Sequence, residues 1–366
     1  MKKFLIMAGI PLLFAVSAVL GGTDFLTRTA RTTLAVMNPA ATVRYIREKQ
    51  KSLSPAPEQS DGDSPVSVMP HSKTDGYENP FEGFDMSSEN SHDTSPPDTD
   101  TPYPIAETTY VSSTSSIIYR RQNCYVKNLT SLSASEVEAE LLAPLPFSVI
   151  KNSTEPQILI MHTHATESYQ DHSGLYYDPD YTCRDTDVTR NMVSVGKIIA
   201  DKLNELGYNT LHDTTLHDYP SYNASYGRSK ATVEQYLAQY PSIKIVLDVH
   251  RDAIERSDGT RIKPVVNING RKCAQVMIIS GADNGHLNMP DYKKNLRFAS
   301  HFQNSMETLY PGFTRPVLFD YRNYNQQLTT GSLLIEVGGH ANTLEEAHNA
   351  AYMIAYSLAD MLDKAQ

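Results

Sequence analysis

The sequence predicts an α/β domain with a mostly parallel central sheet and helices on both faces, preceded by a membrane anchor and a disordered tether. Two observations lead to this prediction. Between residues 157 and 363, short continuous apolar runs alternate with longer segments of helical periodicity, as expected for buried strands connected by helices. Before residue 116, an apolar run is followed by a stretch rich in proline, serine and acidic residues, which is typical of an anchored linker.

The net charge of −10 is distributed unevenly over the 366 residues. Residues 1–50 carry +5, residues 51–110 carry −10 and residues 111–366 carry −5. Nucleic-acid binding on a basic domain face depends on neutralising phosphates, so this distribution argues against a nucleic-acid partner. The three cysteines lie far apart in the sequence and form neither a metal knuckle nor a disulfide scaffold.

An apolar run at residues 4–22 predicts a signal-anchor transmembrane segment within residues 1–22. Its nineteen residues carry no charge and are just long enough to cross the hydrocarbon core of a bilayer as a helix. A cleaved signal peptide is the alternative, because the layout also matches a secretory signal. With the α-amino group included, positive charges before the run outnumber those shortly after it, which places the rest of the chain outside the cytoplasm.

The next two segments predict a linker. Residues 23–50 end in a basic stretch that suits either an amphipathic helix on anionic lipid or a solvated stalk helix. Residues 51–115 contain the acidic surplus and many prolines and serines, so they cannot bury enough apolar surface to offset their backbone entropy. We expect a self-repelling, disordered tether there and a folded domain over residues 116–366.

The periodicity of the folded part predicts four strands and four helices. The strands are expected at residues 157–161, 243–249, 274–279 and 333–337, and the helices at residues 191–206, 231–239, 293–309 and 344–363. Gly207 is a suitable residue to end the first helix, because glycine adopts positive φ without steric cost. In such a sheet, ligands bind beyond the carboxyl ends of the strands.

Histidine and glutamate residues at three strand ends predict a hydrolytic zinc site. His162 and His164 follow the first strand, His250 ends the second, and Glu336 lies near the end of the fourth. Because the carboxyl ends of parallel strands meet at one edge of the sheet, these side chains are expected to converge. Two histidines and one carboxylate match the protein ligands of a catalytic Zn²⁺ ion that leaves its fourth position to water.

Glu336 is the candidate for moving protons in this site. It stands alone among apolar residues of its strand, where burial would raise its pKa and a nearby cation would lower it. A carboxylate outside the metal shell can then take a proton from water and pass it to the leaving amine. A serine nucleophile is not favoured, because the sequence has no GxSxG elbow.

Two long motifs resemble the stage II sporulation protein P family. They are ILIMHTHATESY at residues 158–169 and LIEVGGHANT at residues 334–343, accompanied by DVTRN at residues 187–191 and YNQ at residues 324–326. The resemblance covers about residues 117–362. That family is similar to the zinc N-acetylmuramoyl-L-alanine amidases in its catalytic domain, so the resemblance implies an amidase-like fold that binds zinc.

The resemblance also implies a function and partners. It implies a membrane-anchored, zinc-dependent peptidoglycan hydrolase of sporulation that acts during engulfment. Such an enzyme cleaves the amide between N-acetylmuramic acid and L-alanine, and also cross-links between stem peptides. It would cross the mother-cell membrane once and face the septal space. The implied partners are peptidoglycan, the sporulation protein D lytic transglycosylase and the sporulation membrane protein M.

Two other functions fit the same residues. One is a non-catalytic cell-wall-binding scaffold that has kept the amidase-like fold, and the other is a zinc carboxypeptidase-like peptidase that attacks a free C-terminus.

The amidase pattern assigns most site residues of this chain by resemblance. His250 matches the later histidine ligand, and Glu336 matches the catalytic residue on the last strand. The first ligand is His164 if the loops match in length and His162 if they are shifted by two residues. Both histidines would point to the same side of an extended chain.

The third ligand has no direct match. The amidases carry a glutamate at the start of the following helix, and this chain lacks it there. Glu167 is therefore the expected third ligand, with Asp187 as the alternative if its loop folds back. The residues expected to bind the peptide stem or the oxyanion are Arg251, Tyr324, Asn325 and Gln326.

Overall fold

The computed structural model describes residues 103–365, which form twelve strands and five α-helices. The strands are β1 Tyr103–Thr108, β2 Ile118–Arg121, β3 Cys124–Asn128, β4 Ile158–Met161, β5 Tyr176–Tyr177, β6 Thr210–His212, β7 Ile245–Asp252, β8 Arg261–Ile268, β9 Arg271–Ala274, β10 Val276–Gly281, β11 Val317–Asp320 and β12 Gly331–Gly339. The helices are α1 Ala134–Leu142, α2 Met192–Glu205, α3 Ser225–Gln239, α4 Tyr292–Leu309 and α5 Leu344–Lys364, and Gln326–Leu328 forms a 3-10 turn.

The predicted strands and helices of the folded part are confirmed. The strands are β4, β7, β10 and β12, and the helices are α2 to α5. Helix α2 begins at an Asn191 side chain that accepts a hydrogen bond from the Val193 N–H, and it is followed by Gly207 at a φ of 89°. Helix α3 begins earlier than predicted, at Ser225, because its polar first turns carry no apolar periodicity.

The main sheet is mixed, so the prediction of a mostly parallel sheet is wrong. Its strand order is β2-β3-β11-β10-β12-β7-β4-β6. Strands β12, β7, β4 and β6 run parallel to one another, whereas β10, β11 and β3 run the opposite way. The chain leaves β7, passes through β8 and β9, and enters β10 from the edge where β7 ends. Alternation of strands and helices in the sequence does not reveal this reversal.

A second, smaller sheet has the order β5-β1-β8-β9. Its strand β1, at residues 103–108, falls inside the segment predicted to be a tether over residues 51–115. That boundary is corrected, because β1 pairs with β8 and buries Ile105 against Tyr177 and Ala341. The average composition of the segment concealed one short strand.

The predicted anchor at residues 1–22, the basic helix at residues 23–50 and residues 51–102 of the tether lie outside the described residues. Across residues 103–365, the structure has no helix that is both long enough and apolar enough to span a membrane.

Helices cover both faces of the main sheet, as predicted. On one face, Ile158 and Ile160 of β4 belong to the large core that includes α2, α4 and α5. On the other face, Leu159 and Met161 pack with Val233 of α3. Side chains alternate between the faces of a strand, so β7 and β12 also present alternate residues to the α3 face.

Candidate active site

The strand ends converge where the sequence predicted. Strands β12, β7 and β4 are parallel neighbours, and their register places Glu336 opposite His250 and Met161 opposite Asp248. Residues directly opposite each other in neighbouring strands share a face of the sheet. His250 and Glu336 therefore lie together on the α3 face, close to the carboxyl ends of the strands.

His164 reaches this face from the turn that follows β4. Its ring lies edge to face with His250, with the ring centroids 5.3 Å apart. Tyr222 stacks on His164 at 4.5 Å, and the Nδ1 atom of His164 is buried without a hydrogen-bond partner. Burial and the neighbouring His250 lower the pKa of His164, so the ring is neutral at pH 7 and free to act as a ligand.

Glu167 approaches the same point from the end of that turn. Its Oε2 atom lies 3.6 Å from Nδ1 of His250 and accepts a hydrogen bond of 3.3 Å from the Arg251 N–H. Its Oε1 atom lies 3.6 Å from the Arg184 guanidinium. We call the five residues that meet here the strand-end cluster: His164, Glu167, Asp248, His250 and Glu336.

Asp248 lies two residues before His250 in β7, on the same face of the sheet, and contacts its ring. Its Oδ1 atom lies 2.7 Å from Nε2 of His250 without hydrogen-bond alignment. Oδ1 also accepts a hydrogen bond of 2.8 Å from the Thr163 N–H, and Oδ2 accepts one of 2.7 Å from the Thr163 hydroxyl. Burial alone would lower the pKa of His250, but Asp248 and the other carboxylates raise it to about 9. The carboxylates therefore favour the protonated form of the His250 ring, which has to give up its proton before it can bind a metal ion.

Glu336 is the least satisfied carboxylate of the cluster. Burial raises the pKa of Glu336 to about 8, although the neighbouring His250 lowers it. Its Oε2 atom is buried and has no hydrogen-bond partner. A carboxyl group with these properties gains and loses a proton near neutral pH.

His162 lies outside the cluster. Its Nδ1 atom is 2.9 Å from the carbonyl oxygen of Val249, and its Nε2 atom is 3.0 Å from Nε2 of His212. Burial and His212 lower the pKa of His162 to about 3. The expectation that His162 and His164 point the same way fails, because β4 ends at Met161 and the chain turns directly after it.

The alternative third ligand lies apart from the cluster. Asp187 is exposed, and its side chain accepts hydrogen bonds from Thr189.

Two of the residues predicted to bind substrate, Arg251 and Gln326, use their side chains to form hydrogen bonds with backbone groups. The Arg251 guanidinium donates to the carbonyl oxygens of Ser168 and Cys183, both at 3.0 Å. The Gln326 side-chain amide accepts from the N–H of Gly281 and donates to the carbonyl oxygen of Ile279.

The other two predicted substrate residues border the cluster. Tyr324 stacks on Tyr226, which lies edge to face with His164. Asn325 donates its side-chain N–H to the Tyr226 carbonyl oxygen at 2.8 Å.

Sequence reasoning missed several residues around the cluster. Asp248 stands two residues before His250, so period-two alternation already placed it on the same face. The others belong to none of the motifs, and only the fold brings them close to the cluster. They are Arg184, Asp218, Tyr222 and Tyr226.

The donor set at the cluster has the chemistry of a zinc site but not its spacing. Two imidazoles and a carboxylate are suitable zinc ligands, and Nδ1 of His164 is buried without a hydrogen-bond partner. Leaving such an atom unpaired is costly, which favours a ligand. Among residues 103–365, however, no three His, Cys, Asp or Glu side chains stand in a geometry that holds a metal ion.

The sequence matches one known family over most of its length. The family model described as stage II sporulation protein P matches residues 58–359. The stage II sporulation protein P of Bacillus subtilis strain 168 is 30% identical over 215 residues, which is 56% of this chain and 50% of the relative. The chain thus spans half the length of this curated relative.

Solved structures give weaker similarities. The CwlD amidase of Clostridioides difficile, in complex with the GerS lipoprotein, has a TM-score of 0.35 at 10% identity, covering 57% of this chain and 98% of that one. An N-acetylmuramoyl-L-alanine amidase of Nostoc punctiforme has a TM-score of 0.32 at 11% identity, covering 58% and 98%. A metallo-carboxypeptidase of Burkholderia cenocepacia has a TM-score of 0.32 at 8% identity, covering 63% and 68%. At these scores the overlaps do not establish a shared fold.

Proposed function

This chain belongs to the stage II sporulation protein P family, and from that membership we propose that it is a sporulation cell-wall hydrolase of the amidase kind. The observation that carries the proposal is the meeting of His164, His250 and Glu336 at the ends of adjacent strands. Buried histidines and a carboxyl group of raised pKa, gathered at strand ends, are typical of catalytic sites.

The bond that we propose is the amide between N-acetylmuramic acid and L-alanine, with cross-links between stem peptides as further substrates. Hydrolysis of an amide needs a group that takes a proton from water and returns one to the leaving amine. Glu336 is suited to both steps, because its Oε2 atom has no hydrogen-bond partner and the raised pKa brings proton exchange close to neutral pH.

We further propose that His164, Glu167 and His250 hold a zinc ion. A bound Zn²⁺ ion would supply Lewis-acid polarisation of the reacting groups. The chain itself provides the neutral His164 ring, and Asp248 and Thr163 fix the position of His250. The three side chains would have to move closer together to hold the ion, given their spacing.

Anchoring and partners complete the proposal. The N-terminal apolar run is proposed to hold the chain in the mother-cell membrane with the folded domain outside the cytoplasm. Sporulation protein D lytic transglycosylase and sporulation membrane protein M are the proposed partners. Co-purification of each protein with the full-length chain tests this proposal. If neither protein is recovered with the chain, the two are not its partners.

A second candidate is a non-catalytic wall-binding scaffold. It is favoured by the lack of metal-holding geometry among residues 103–365. The two candidates differ in one outcome, since a scaffold binds peptidoglycan and releases no products.

Digestion of purified peptidoglycan by the full-length chain tests the proposal. Mass analysis should find free stem peptides that begin with L-alanine, and a chelator should abolish their release. Stem peptides that lose only C-terminal residues would indicate a carboxypeptidase-like peptidase. Binding without any product would support the scaffold.

A further inference from the structure

A chain of hydrogen bonds runs from the loop after β11 to the strand-end cluster, and we propose that Ser229 and Asn325 are positioning residues that act through it on His250. The Asn325 side-chain N–H donates to Oγ of Ser229 at 3.2 Å, and that oxygen lies 2.8 Å from Oγ1 of Thr163. The Thr163 hydroxyl donates to Oδ2 of Asp248 at 2.7 Å, and Oδ1 of Asp248 contacts the His250 ring. We call Asn325, Ser229 and Thr163 the hydrogen-bond relay. The inference rests on the proposed function, because it concerns the orientation of a proposed zinc ligand.

The hydrogen-bond relay runs in one direction. The ionised carboxylate of Asp248 only accepts hydrogen bonds, so the single hydrogen of the Thr163 hydroxyl is committed to it. The hydrogen between the two hydroxyl groups therefore comes from Ser229, because two lone pairs facing each other at 2.8 Å would repel. It does not go to the Tyr226 carbonyl oxygen, which lies farther away at 3.2 Å. Each donor in such a chain polarises the next, so Asn325 and Ser229 strengthen the bond that reaches Asp248.

The path from the relay to the cluster is buried. Thr163 and Ser229 are fully buried, and Asp248 and His250 are 6% and 4% exposed. In such surroundings an unpaired polar group is costly and a paired one is held firmly in place. The relay therefore fixes four segments that are distant in the sequence relative to one another: the turn after β4, helix α3, strand β7 and the loop after β11.

The last step of the path gives the two nitrogens of His250 different surroundings. Thr163 holds both oxygens of Asp248, through its N–H at 2.8 Å and its hydroxyl at 2.7 Å. Oδ1 of Asp248 lies 2.7 Å from Nε2 of His250, whereas the nearest carboxylate oxygen to Nδ1 is Oε2 of Glu167 at 3.6 Å. A proton is favoured on the nitrogen closer to a carboxylate, so Nε2 keeps its proton and Nδ1 is the nitrogen that gives one up to bind a metal ion.

The relay also gives Asn325 a different role from the predicted one. Asn325 was expected to bind substrate, but the N–H groups of its side-chain amide bond to the Tyr226 carbonyl oxygen and to Ser229. Its φ of 58° lies in the left-handed region, where residues held by the surrounding structure concentrate at functional sites. Asn325 therefore acts on the site through His250, without touching substrate.

Zinc titration of the full-length chain in competition with a chelator tests the inference. Loss of a group that orients a metal-binding histidine typically costs about 10–100-fold in metal affinity. Ser229→Ala and Thr163→Val should therefore each weaken zinc binding by about tenfold, and Thr163→Ser should restore it because the hydroxyl is kept. Asn325→Gly, which keeps the left-handed backbone without strain, should weaken binding in the same direction.

Two buried residues away from the relay provide matched controls. Ser305 lies in helix α4, is 4% exposed and donates its hydroxyl to Asp360 at 2.7 Å. Thr314 is 2% exposed and donates both its N–H and its hydroxyl to the Glu307 carboxylate, which is the pattern of the relay threonine. Ser305→Ala and Thr314→Val should lower the unfolding temperature and leave zinc affinity unchanged.

A second measurement needs no metal. In the metal-free chain with isotope-labelled histidine, the Nε2–H of His250 should give a magnetic resonance signal that exchanges slowly with water and is absent from His250→Ala. Ser229→Ala should speed this exchange by about tenfold, because Asp248 is held less firmly, and Ser305→Ala should leave it unchanged. A relay that only stabilises the fold would give equal exchange rates in these two variants.

The outcomes separate this inference from the proposed function. A chain that binds zinc and releases stem peptides, but whose Ser229→Ala variant matches Ser305→Ala in zinc affinity and in exchange, refutes only the relay. Absence of a slowly exchanging Nε2–H in the unmodified chain also overturns it. A chain that binds no zinc refutes the proposed metal site, and the exchange rates still decide whether the relay positions His250.

Discussion

Glu336 stands directly opposite His250 across the parallel pair of β12 and β7, on the face of the sheet that α3 covers. Burial raises the pKa of Glu336 to about 8, and the carboxylates around His250 outweigh burial and raise its pKa to about 9. The two groups influence each other, because an imidazolium stabilises a neighbouring carboxylate. A proton can therefore leave or join Glu336 near neutral pH, because the protonated His250 ring compensates the negative charge of the buried carboxylate.

We expect Glu336→Gln to abolish hydrolysis while the chain stays folded. Glutamine has the same shape but cannot accept a proton, so the rate of stem-peptide release should fall by about 10² to 10⁴. Release rates are measured on purified peptidoglycan, and thermal unfolding confirms that the variant is folded. Glu345→Gln, which changes a carboxylate in the first turn of α5, is the control. Unchanged release by the Glu336 variant would remove this residue from the mechanism.

His250→Ala should lose stoichiometric zinc. The substitution removes one proposed ligand and leaves two, and zinc needs at least three protein ligands in a catalytic site. Zinc content is measured by elemental analysis of the full-length protein after dialysis. His286→Ala changes an exposed histidine and should retain zinc equal to the unmodified chain. Full zinc content in the His250 variant would contradict the assignment.

Gly196→Ala should destabilise the fold. A Cβ atom at position 196 would lie 2.3 Å from Nε2 of His162, and the imidazole there is fully buried. Overpacking of this kind costs about 1–3 kcal/mol in the free energy of unfolding, measured by urea denaturation.

Gly227→Ala is the matched glycine control. Gly227 also lies in a helix, and a Cβ atom there would meet nothing within 4 Å. Alanine restricts the unfolded chain, so stability should rise by up to about 1 kcal/mol. A similar gain in stability for both variants would show that the His162 contact carries no cost.

His348 should make the domain sensitive to acid. Burial lowers the pKa of His348 to about 4, whereas an unfolded histidine has a pKa of about 6.5. The folded state therefore favours the neutral ring, and its contribution to stability is complete above about pH 6.5. It is lost as the pH falls, by about 1.4 kcal/mol per pH unit for one proton, down to about pH 4.

The free energy of unfolding should fall less steeply with falling pH in His348→Gln, by about 1.4 kcal/mol per pH unit between pH 4 and pH 6.5, because one proton fewer is taken up on unfolding. Urea unfolding at successive pH values measures it. His286→Gln, at an exposed position, should leave the slope as it is. Parallel stability curves for the His348 variant and the unmodified chain would show that this histidine is not the acid-sensitive group.

The sequence predicted the positions of the main strands and helices because their apolar periodicity reflects burial directly. It also placed His250 and Glu336 together, since strand ends of parallel neighbours must meet at one edge. It did not predict the reversed strands β3, β10 and β11 or the small sheet. Strand direction and edge pairing depend on where the chain re-enters the sheet, and the local pattern is the same for both directions.

The positions of His162 and His164 show the same difference between what the sequence predicts and what the tertiary structure decides. Spacing alone put both histidines on one side of an extended chain, whereas the turn after Met161 sends His164 to the strand-end cluster and His162 to His212. Likewise, Tyr222 and Tyr226 belong to no motif and reach His164 only because the fold brings α3 and the loop before it close to the strand-end cluster. The sequence by itself determined which side chains are available for chemistry, because residue type and burial periodicity are local. Only the tertiary structure decided which of them meet, because contacts between distant segments depend on the path of the whole chain.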